Sequence, residues 1–76
     1  MHVVIAKVDQ NLFDGEVRSL TVPGSAGEMT VLGHHMPLVT TLKEGRIIVR
    51  AEGGEQQFSI SGGVLEVRSD GATVIL

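Results

Sequence analysis

The stretch that decides the fold class is residues 45–76, GRIIVRAEGGEQQFSISGGVLEVRSDGATVIL. Short runs of β-branched and apolar residues alternate in it with glycine-containing connections, as strands joined by tight turns do. Gly53-Gly54 lies between two such runs, and Asp70-Gly71 precedes the last one. Both pairs are typical of two-residue hairpin turns whose residues take positive φ. This stretch therefore predicts consecutive antiparallel hairpins.

The same pattern continues toward the N-terminus. Apolar and polar residues alternate along several of the runs, so that one side of each strand faces a core. No window of about 11 residues shows a helical period free of glycine. Short strands spaced by about 8–12 residues favour a sandwich or barrel of antiparallel strands, here as a single domain over residues 1–76. The expected strands are 2–8, 16–22, 28–32, 38–42, 46–51, 55–60, 63–68 and 72–76.

One predicted strand, 16–22, breaks its own alternation. Val17 is in odd phase, whereas Leu20 and Val22 are in even phase. Either Val17 faces solvent or a β-bulge near Arg18-Ser19 resets the register. We favour the bulge.

Composition excludes several functional classes. Nine acidic residues against six basic ones give a net charge of −3, and the chain has no Tyr or Trp. Such a surface is poorly suited to a phosphate backbone or to base stacking, so no nucleic-acid partner is expected. Without cysteine the chain has neither a disulfide nor a Cys-rich zinc site. Its apolar runs are far shorter than the ~20 residues of a membrane span.

The motifs that could carry chemistry do not assemble an active site. His34 and His35 are adjacent, so in an extended chain they point to opposite sides, and His2 is distant in sequence. The glycine-rich stretch 24–27 lacks the Gly-Lys-Ser/Thr ending and the following helix of a phosphate loop. Ser61 lacks the Gly-x-Ser-x-Gly spacing of a nucleophile elbow. We therefore expect no catalytic residue, no metal site and no cofactor.

The order of the motifs carries more information than any one of them. The chain has LFDG at 12–15, PGSAGEMTVL at 23–32, GHHMPL at 33–38, LKEG at 42–45 and SGGVLEV at 61–67. This succession resembles the N-terminal domain of the epsilon subunit of bacterial F-type ATP synthases, called delta in mitochondria. The family pattern is a Phe-x-Gly bend, a Gly-x-x-Gly-Glu loop, a Gly-His-x-Pro loop, a Lys-x-Gly turn and a Ser-Gly-Gly strand start. The resemblance covers nearly the whole chain.

Two features depart from the family pattern. The stretch 33–37, GHHMP, lacks the proline that commonly precedes the family's Gly-His, which affects the shape of that loop. The family usually continues past the equivalent of Leu76 into a two-helix C-terminal domain, so this chain resembles an epsilon subunit without that domain or the N-terminal piece of one. The family's ATP-binding and inhibitory functions belong to those helices and are not carried over.

The resemblance implies a flattened antiparallel β-sandwich of two five-stranded sheets, or about ten short strands. It also implies a non-catalytic rotor subunit at the foot of the central stalk, which couples ion-driven rotation of the c-ring to gamma. The catalytic hexamer of alpha and beta subunits would be an indirect partner. The subunit would be peripheral, on the cytoplasmic face of the inner (plasma) membrane, without direct insertion. Carried over residue by residue, the c-ring contact falls on Ala26, Gly27 and Glu28, and the gamma contact on His35, Met36, Pro37, Leu38 and Thr40.

The residue types agree with these contacts. An acidic loop tip suits a basic polar loop on a ring subunit. Exposed Met and Leu side chains beside a proline suit the core of an interface.

The alternative from another class is a biotinyl or lipoyl carrier domain, which is also all-β and of similar size. Such a domain displays a lysine at a tight hairpin, usually next to methionine. Lys43 in the stretch 42–45 is the only lysine expected in a turn, and it lacks that setting.

Overall fold

A computed structural model describes residues 1–34 and 36–76 of the chain. The strands are β1 (His2–Ala6), β2 (Asn11–Glu16), β3 (Ser19–Gly24), β4 (Gly27–Leu32), β5 (Leu38–Leu42), β6 (Gly45–Ala51), β7 (Gly54–Ile60), β8 (Gly63–Arg68) and β9 (Gly71–Ile75). No helix occurs in the described residues, which agrees with the all-β prediction. Accordingly, nothing in this part of the chain has the helical length and hydropathy of a membrane span.

The strands form one continuous curled sheet with the order β2-β1-β9-β8-β5-β3-β6-β7, and β4 pairs with β3 outside this order. The first group of strands, β2-β1-β9-β8-β5, meets the second group, β4-β3-β6-β7, at a single bridge between Gly24 and Leu42. The two five-stranded sheets of the prediction thus correspond to five and four strands of one sheet. The pairing is antiparallel with one exception, since β1 and β9 lie parallel. The chain passes through both groups before its last strand returns beside its first.

The core lies between the two groups. Inward-facing positions from both form one cluster: Val3, Ile5, Val17, Leu20, Val22, Val31, Leu42, Ile47, Val49, Ile60, Leu65, Val67, Ala72 and Val74. Leu20, Ile47 and Leu65 are fully buried. Each such side chain stabilises the fold by roughly 1.5–3 kcal/mol relative to an exposed one.

The far ends of the strand order are closed by an aromatic contact. β2 and β7 are the two ends of the hydrogen-bonded series. Phe13 on β2 and Phe58 on β7 meet edge to face, with ring centroids 6.1 Å apart and ring planes at 65°. This geometry is a favourable one for aromatic pairs. The two groups are therefore joined along two seams. At the first, the bridge between Gly24 and Leu42, the contact is made by backbone, and at the second, between Phe13 and Phe58, it is made by side chains.

The segment around Val17 differs from the prediction. Residues 11–16 form β2, whereas the sequence predicted only a bend there, because Asn, Asp and Gly are weak strand formers. Val17 is 5% exposed, so the alternative in which it faces solvent is wrong. The alternation of buried and exposed positions changes phase at the break between β2 and β3, where the chain crosses from the first group to the second. The predicted bulge within one strand is therefore replaced by a break between two strands. Across this break Val17 N–H donates to the Met1 carbonyl at 2.9 Å, and Arg18 N–H donates to the Arg50 carbonyl at 2.6 Å.

Both predicted hairpins exist, but their turns lie one residue earlier than predicted. The turns are at 52–53 and 69–70, and Gly54 and Gly71 begin the next strands. Gly54 takes a positive φ of 146°, whereas Gly71 does not take positive φ. Gly71 instead allows a close approach, because a Cβ there would lie well inside 3.0 Å of the His2 carbonyl oxygen. The parallel pairing of β1 with β9 therefore requires glycine at this position.

Candidate functional site

The three residues predicted to contact the c-ring lie together at the tip of the β3–β4 hairpin. Ser25 and Ala26 form the turn, and Gly24 pairs with Gly27. Gly27 takes a positive φ of 139°, which favours glycine there. Ala26 and Glu28 are exposed, and Gly27 is half-buried. The tip thus exposes one acidic side chain, that of Glu28.

Glu28 lies in a surface depression that also contains cationic side chains. Lys43 and Arg46 line the depression beside it. The Arg46 guanidinium donates to the Gln57 side-chain oxygen at 3.1 Å. Among residues 1–34 and 36–76 the carboxylate of Glu28 has no hydrogen-bonded or ionic partner. A partner surface fitting this depression would offer a cation to Glu28 and acceptors to Lys43 and Arg46.

The predicted gamma contact lies at the opposite end of β5. Met36 is 78% exposed and Pro37 is also exposed, while His35 lies outside the described residues. Leu38 and Thr40 are half-buried, because their side chains alternate onto the inner side of β5 with Leu42. Both of these residues were among those predicted from the sequence.

Between them, Val39 points outward and is 68% exposed. It was not among the predicted contacts, although strict alternation from the buried Leu42 would have predicted its direction.

Val39 belongs to an exposed apolar surface that was not predicted from the sequence. Val64 on β8 and Ile75 on β9 are 40% and 52% exposed, and they are paired neighbours in the sheet. We call Val39, Val64 and Ile75 the apolar outer face. In the β5–β8 pairing Val39 lies opposite Glu66 and Val64 lies opposite Thr41, so Val39 and Val64 are diagonal neighbours with polar side chains beside them.

The outer side of the second group combines polar pairs with one exposed apolar side chain, Leu32 on β4, which is 58% exposed. Thr21 and Thr30 share a hydrogen bond of 3.0 Å between their hydroxyl oxygens there. Arg50 pairs with Glu55 at 3.2 Å. The first group therefore has more exposed apolar side chains on its outer side, although it also carries the ion pair between Glu66 and Arg68.

β5 connects the two predicted contacts. Its first residue, Leu38, follows the loop that contains Met36 and Pro37, and its last residue, Leu42, bridges to Gly24 at the hairpin. A five-residue strand is about 16 Å long at about 3.3 Å per residue. The two contact regions are thus held at opposite ends of one short strand.

A third polar cluster joins β1 to β2 on the outer side. His2 Nε2 lies 2.6 Å from Asp14 Oδ1, and His2 Nδ1 lies 3.0 Å from Glu16 Oε2. The Met1 ammonium lies 3.4 Å from Glu16 Oε1.

These contacts shift the ionisation of both partners. Hydrogen bonds with Glu16 and then Asp14 raise the pKa of His2, and the bond from His2 lowers the pKa of Glu16. The described residues contain no group of three or more His, Asp or Glu arranged to hold a metal ion. This cluster therefore fastens an edge strand, and no role was predicted for it from the sequence.

Lys43, the residue on which the carrier alternative depends, lies in the turn between β5 and β6. Its backbone N–H donates to the Pro23 carbonyl at 2.9 Å, so the turn packs against β3.

Comparison with known proteins identifies relatives of this fold. The family described as the ATP synthase delta/epsilon chain β-sandwich domain matches residues 1–76. The ATP synthase epsilon chain of Bordetella petrii is 38% identical over an alignment that covers 99% of this chain and 54% of that protein. The epsilon chain of Delftia acidovorans is 36% identical over 99% of this chain and 55% of its own length. The chain thus spans about half the length of the curated relatives that it matches.

Two solved structures have the same fold. A chain of the Euglena gracilis mitochondrial ATP synthase, from an OSCP/F1/c-ring structure, superposes with a TM-score of 0.88 at 30% identity, over 96% of this chain and 48% of that one. A chain from the central stalk and c-ring of the Tetrahymena thermophila enzyme superposes with a TM-score of 0.80 over 99% of this chain and 61% of that one. At 17% identity the second likeness shows the fold alone. These matches do not support a carrier domain. By its match over residues 1–76, the chain belongs to the family of ATP synthase delta/epsilon chain β-sandwich domains.

Proposed function

We propose that this chain is a non-catalytic coupling element in the rotor of an F-type ATP synthase. The observation that carries the proposal is the family match over residues 1–76. The named relatives are ATP synthase epsilon chains, and the Euglena relative comes from a structure that contains F1 and the c-ring. In this role the chain holds the c-ring at one site and gamma at another, so that rotation of the ring reaches gamma.

The c-ring contact is the β3–β4 hairpin tip with Ala26, Gly27 and Glu28. Support comes from the exposure of Ala26 and Glu28 and from the Glu28 carboxylate, which has no hydrogen-bonded or ionic partner within residues 1–34 and 36–76. A basic side chain on a ring loop would pair with Glu28. Such rim charges act mainly on association rate and partner choice, and salt screens them.

The gamma contact is the loop before β5 together with β5 itself. Met36, Pro37, Leu38 and Thr40 take part, with His35 as the sequence predicts. We add Val39, because it is the exposed apolar side chain of this strand. Val64 and Ile75 lie on the same outer side, but Val64 pairs with Thr41 at the hairpin end of β5, so these two residues are not assigned to the gamma contact. An apolar centre with a polar rim is the usual arrangement of a stable protein interface.

Coupling depends on contact area and on stiffness. A stable interface buries about 800 Å² on each partner. The chain exposes 4577 Å², so two such contacts would cover roughly a third of its surface. Because every strand is hydrogen-bonded to a neighbour, shear between ring and gamma would load a continuous sheet. The protein's task in this scheme is mechanical, and no step of ATP chemistry takes place on it.

The location follows from the same proposal. A rotor element between ring and gamma would be peripheral, on the cytoplasmic face of the inner membrane. The catalytic hexamer would be reached only through gamma.

Two pairs of variants test the two contacts separately. Glu28→Lys should weaken c-ring binding more than gamma binding, by about three- to tenfold at low salt and by less at high salt. Glu52→Lys is the matched control, because Glu52 is exposed in the β6–β7 turn, at the other end of the second group. Val39→Asp should weaken gamma binding by about fivefold or more, as expected at an interface centre. Val8→Asp is its control, because Val8 is fully exposed in the β1–β2 connection.

The readout is the affinity of the purified chain for isolated gamma and for c-rings, by surface plasmon resonance at two salt concentrations. Equal loss of gamma binding with Glu28→Lys would refute the assignment of the hairpin tip. Full gamma affinity in Val39→Asp would refute the assignment of β5.

A further inference from the structure

The hairpin tip is fastened to β5 by both donors of one serine. Ser25 N–H donates to the Thr41 carbonyl oxygen at 3.0 Å, and Ser25 Oγ donates to the same oxygen at 2.9 Å. The hydroxyls of Ser25 and Thr41 are also hydrogen-bonded to each other. On the other side of the bridge between Gly24 and Leu42, Lys43 N–H donates to the Pro23 carbonyl at 2.9 Å.

These contacts join the turn of the β3–β4 hairpin to a strand outside its own pair. Here the turn residue itself reaches a strand that follows it in sequence, across the junction between the two groups of strands. Ser25 and Thr41 are both exposed, so core packing does not account for the contact.

We infer that Ser25 is a positioning residue, which fixes the hairpin tip on β5 and so orients Ala26 and Glu28 relative to the other end of that strand. This inference rests on the proposed function, in which the tip meets the c-ring and the start of β5 meets gamma. We call the hydrogen bonds between Ser25 and Thr41 the clasp. When these bonds are formed, the c-ring contact and the gamma contact belong to one rigid unit. When they are broken, the hairpin tip moves separately from β5, and binding to the c-ring has to order the tip first.

The first test uses the purified chain without partners. Ser25→Ala removes the hydroxyl, whereas Ser25→Thr keeps it. Ser59→Ala is the matched control, because Ser59 is exposed on β7. Amide hydrogen exchange should show an about fivefold loss of protection at residues 25 and 43 in Ser25→Ala, which corresponds to about 1 kcal/mol for one lost hydrogen-bonding group. Protection in Ser25→Thr and Ser59→Ala should equal that of the parent chain.

The second test measures binding. Ser25→Ala should lower c-ring affinity by about two- to fivefold, because a smaller fraction of molecules has the tip in its binding arrangement. Gamma affinity should not change, and Ser25→Thr should restore ring affinity. A purely structural role of Ser25 would instead lower both affinities together.

The outcomes separate the two proposals. Unchanged protection in Ser25→Ala, or unchanged ring affinity when Glu28→Lys does weaken ring binding, would overturn the role of Ser25. If neither Glu28→Lys nor Ser25→Ala affects ring binding while protection at residues 25 and 43 falls, the clasp exists but the proposed ring contact is wrong, and the positioning role falls with it.

Discussion

Gly71→Ala is the sharpest test of the way the first and last strands meet. Gly71 is buried at the start of β9 and pairs with His2 in the parallel β1–β9 ladder. An added Cβ would lie well inside 3.0 Å of the His2 carbonyl oxygen, closer than real Cβ atoms come to other atoms. That oxygen belongs to backbone, so it cannot rotate away as the end of a flexible side chain can.

The loss in free energy of unfolding depends on how far the backbone of β1 has to move. The His2 carbonyl would have to shift by roughly 1 Å to reach ordinary van der Waals separation from the added Cβ. Overpacking of this kind costs about 1–3 kcal/mol, and each hydrogen bond lost at the end of the ladder adds about 0.5–1.5 kcal/mol. We expect a total of about 2–4 kcal/mol, out of about 4–11 kcal/mol for a chain of this length. Each kcal/mol lowers Tm by about 4–8 °C at this size.

The assay is equilibrium urea denaturation of the purified chain, with thermal melting as a second measurement. Gly53→Ala is the matched control, because the position that an added Cβ would occupy there has no atom within 4 Å beyond the chain neighbours, and the φ of Gly53 is not positive. That substitution should leave stability unchanged or raise it by about 0.4–1 kcal/mol. If Gly71→Ala is no more destabilising than Gly53→Ala, β1 does not pack against β9 as described.

Two further predictions concern the edges of the sheet. His2→Gln should lower Tm most between about pH 4.5 and 6.5, which are the ordinary pKa values of Glu16 and His2. The pKa of His2 is raised, so its contribution to stability is complete below pH 6.5 and is lost as the pH rises through the raised pKa. The pKa of Glu16 is lowered, so its contribution to stability is complete above pH 4.5 and is lost as the pH falls through the lowered pKa. The effect is measured as Tm against pH, with His34→Asn as the control variant. A difference in Tm between His2→Gln and the parent chain that does not change with pH would contradict the prediction. In a double-mutant cycle, Phe13→Leu and Phe58→Leu should show a coupling of about 0.5–1.5 kcal/mol by urea denaturation, whereas additive effects would mean that the rings do not close the seam.

Local patterns in the sequence were sufficient to predict the strands that alternate cleanly. Apolar and polar residues alternate in the sequence around Leu65 and Val67 and around Phe58 and Ile60, and the burial of these side chains alternates in the same way. This success has a simple cause, because a strand with one buried face must repeat with a period of two. The hairpins at the glycine-containing turns were predicted for a similarly local reason.

The features that the sequence did not predict depend on distant parts of the chain. β2 contains Asp14 and Gly15, and its pairing is favoured by β1 and by the contacts of His2, which are not visible within the segment. Val17 is buried because the chain changes groups there, so no single-strand pattern applies. The need for glycine at Gly71 comes from the carbonyl of His2, at the other end of the chain.

The candidate contacts divide in the same way. Glu28 was predicted from its place in a local motif, and the hairpin does expose it. Val64 and Ile75 were not predicted, since they become neighbours only when β8 pairs with β9. A surface made by side chains from separate strands requires the register of the sheet, which composition and motif order do not contain.

The place of the hairpin tip in the sheet has a mechanical consequence for the proposed role. The two groups of strands share the bridge at Gly24 and Leu42, and the bonds of Ser25 and Lys43 flank it on either side. A load applied at the tip therefore enters at the junction, where both groups can carry it. The same load on a hairpin far from the junction would bend one group against the other and would be resisted by side-chain packing, in the core and between Phe13 and Phe58. Backbone hydrogen bonds are directional, whereas packed rings can slide. A rotor element that must resist shear is thus better loaded at the hydrogen-bonded seam, which is where the proposed c-ring contact lies.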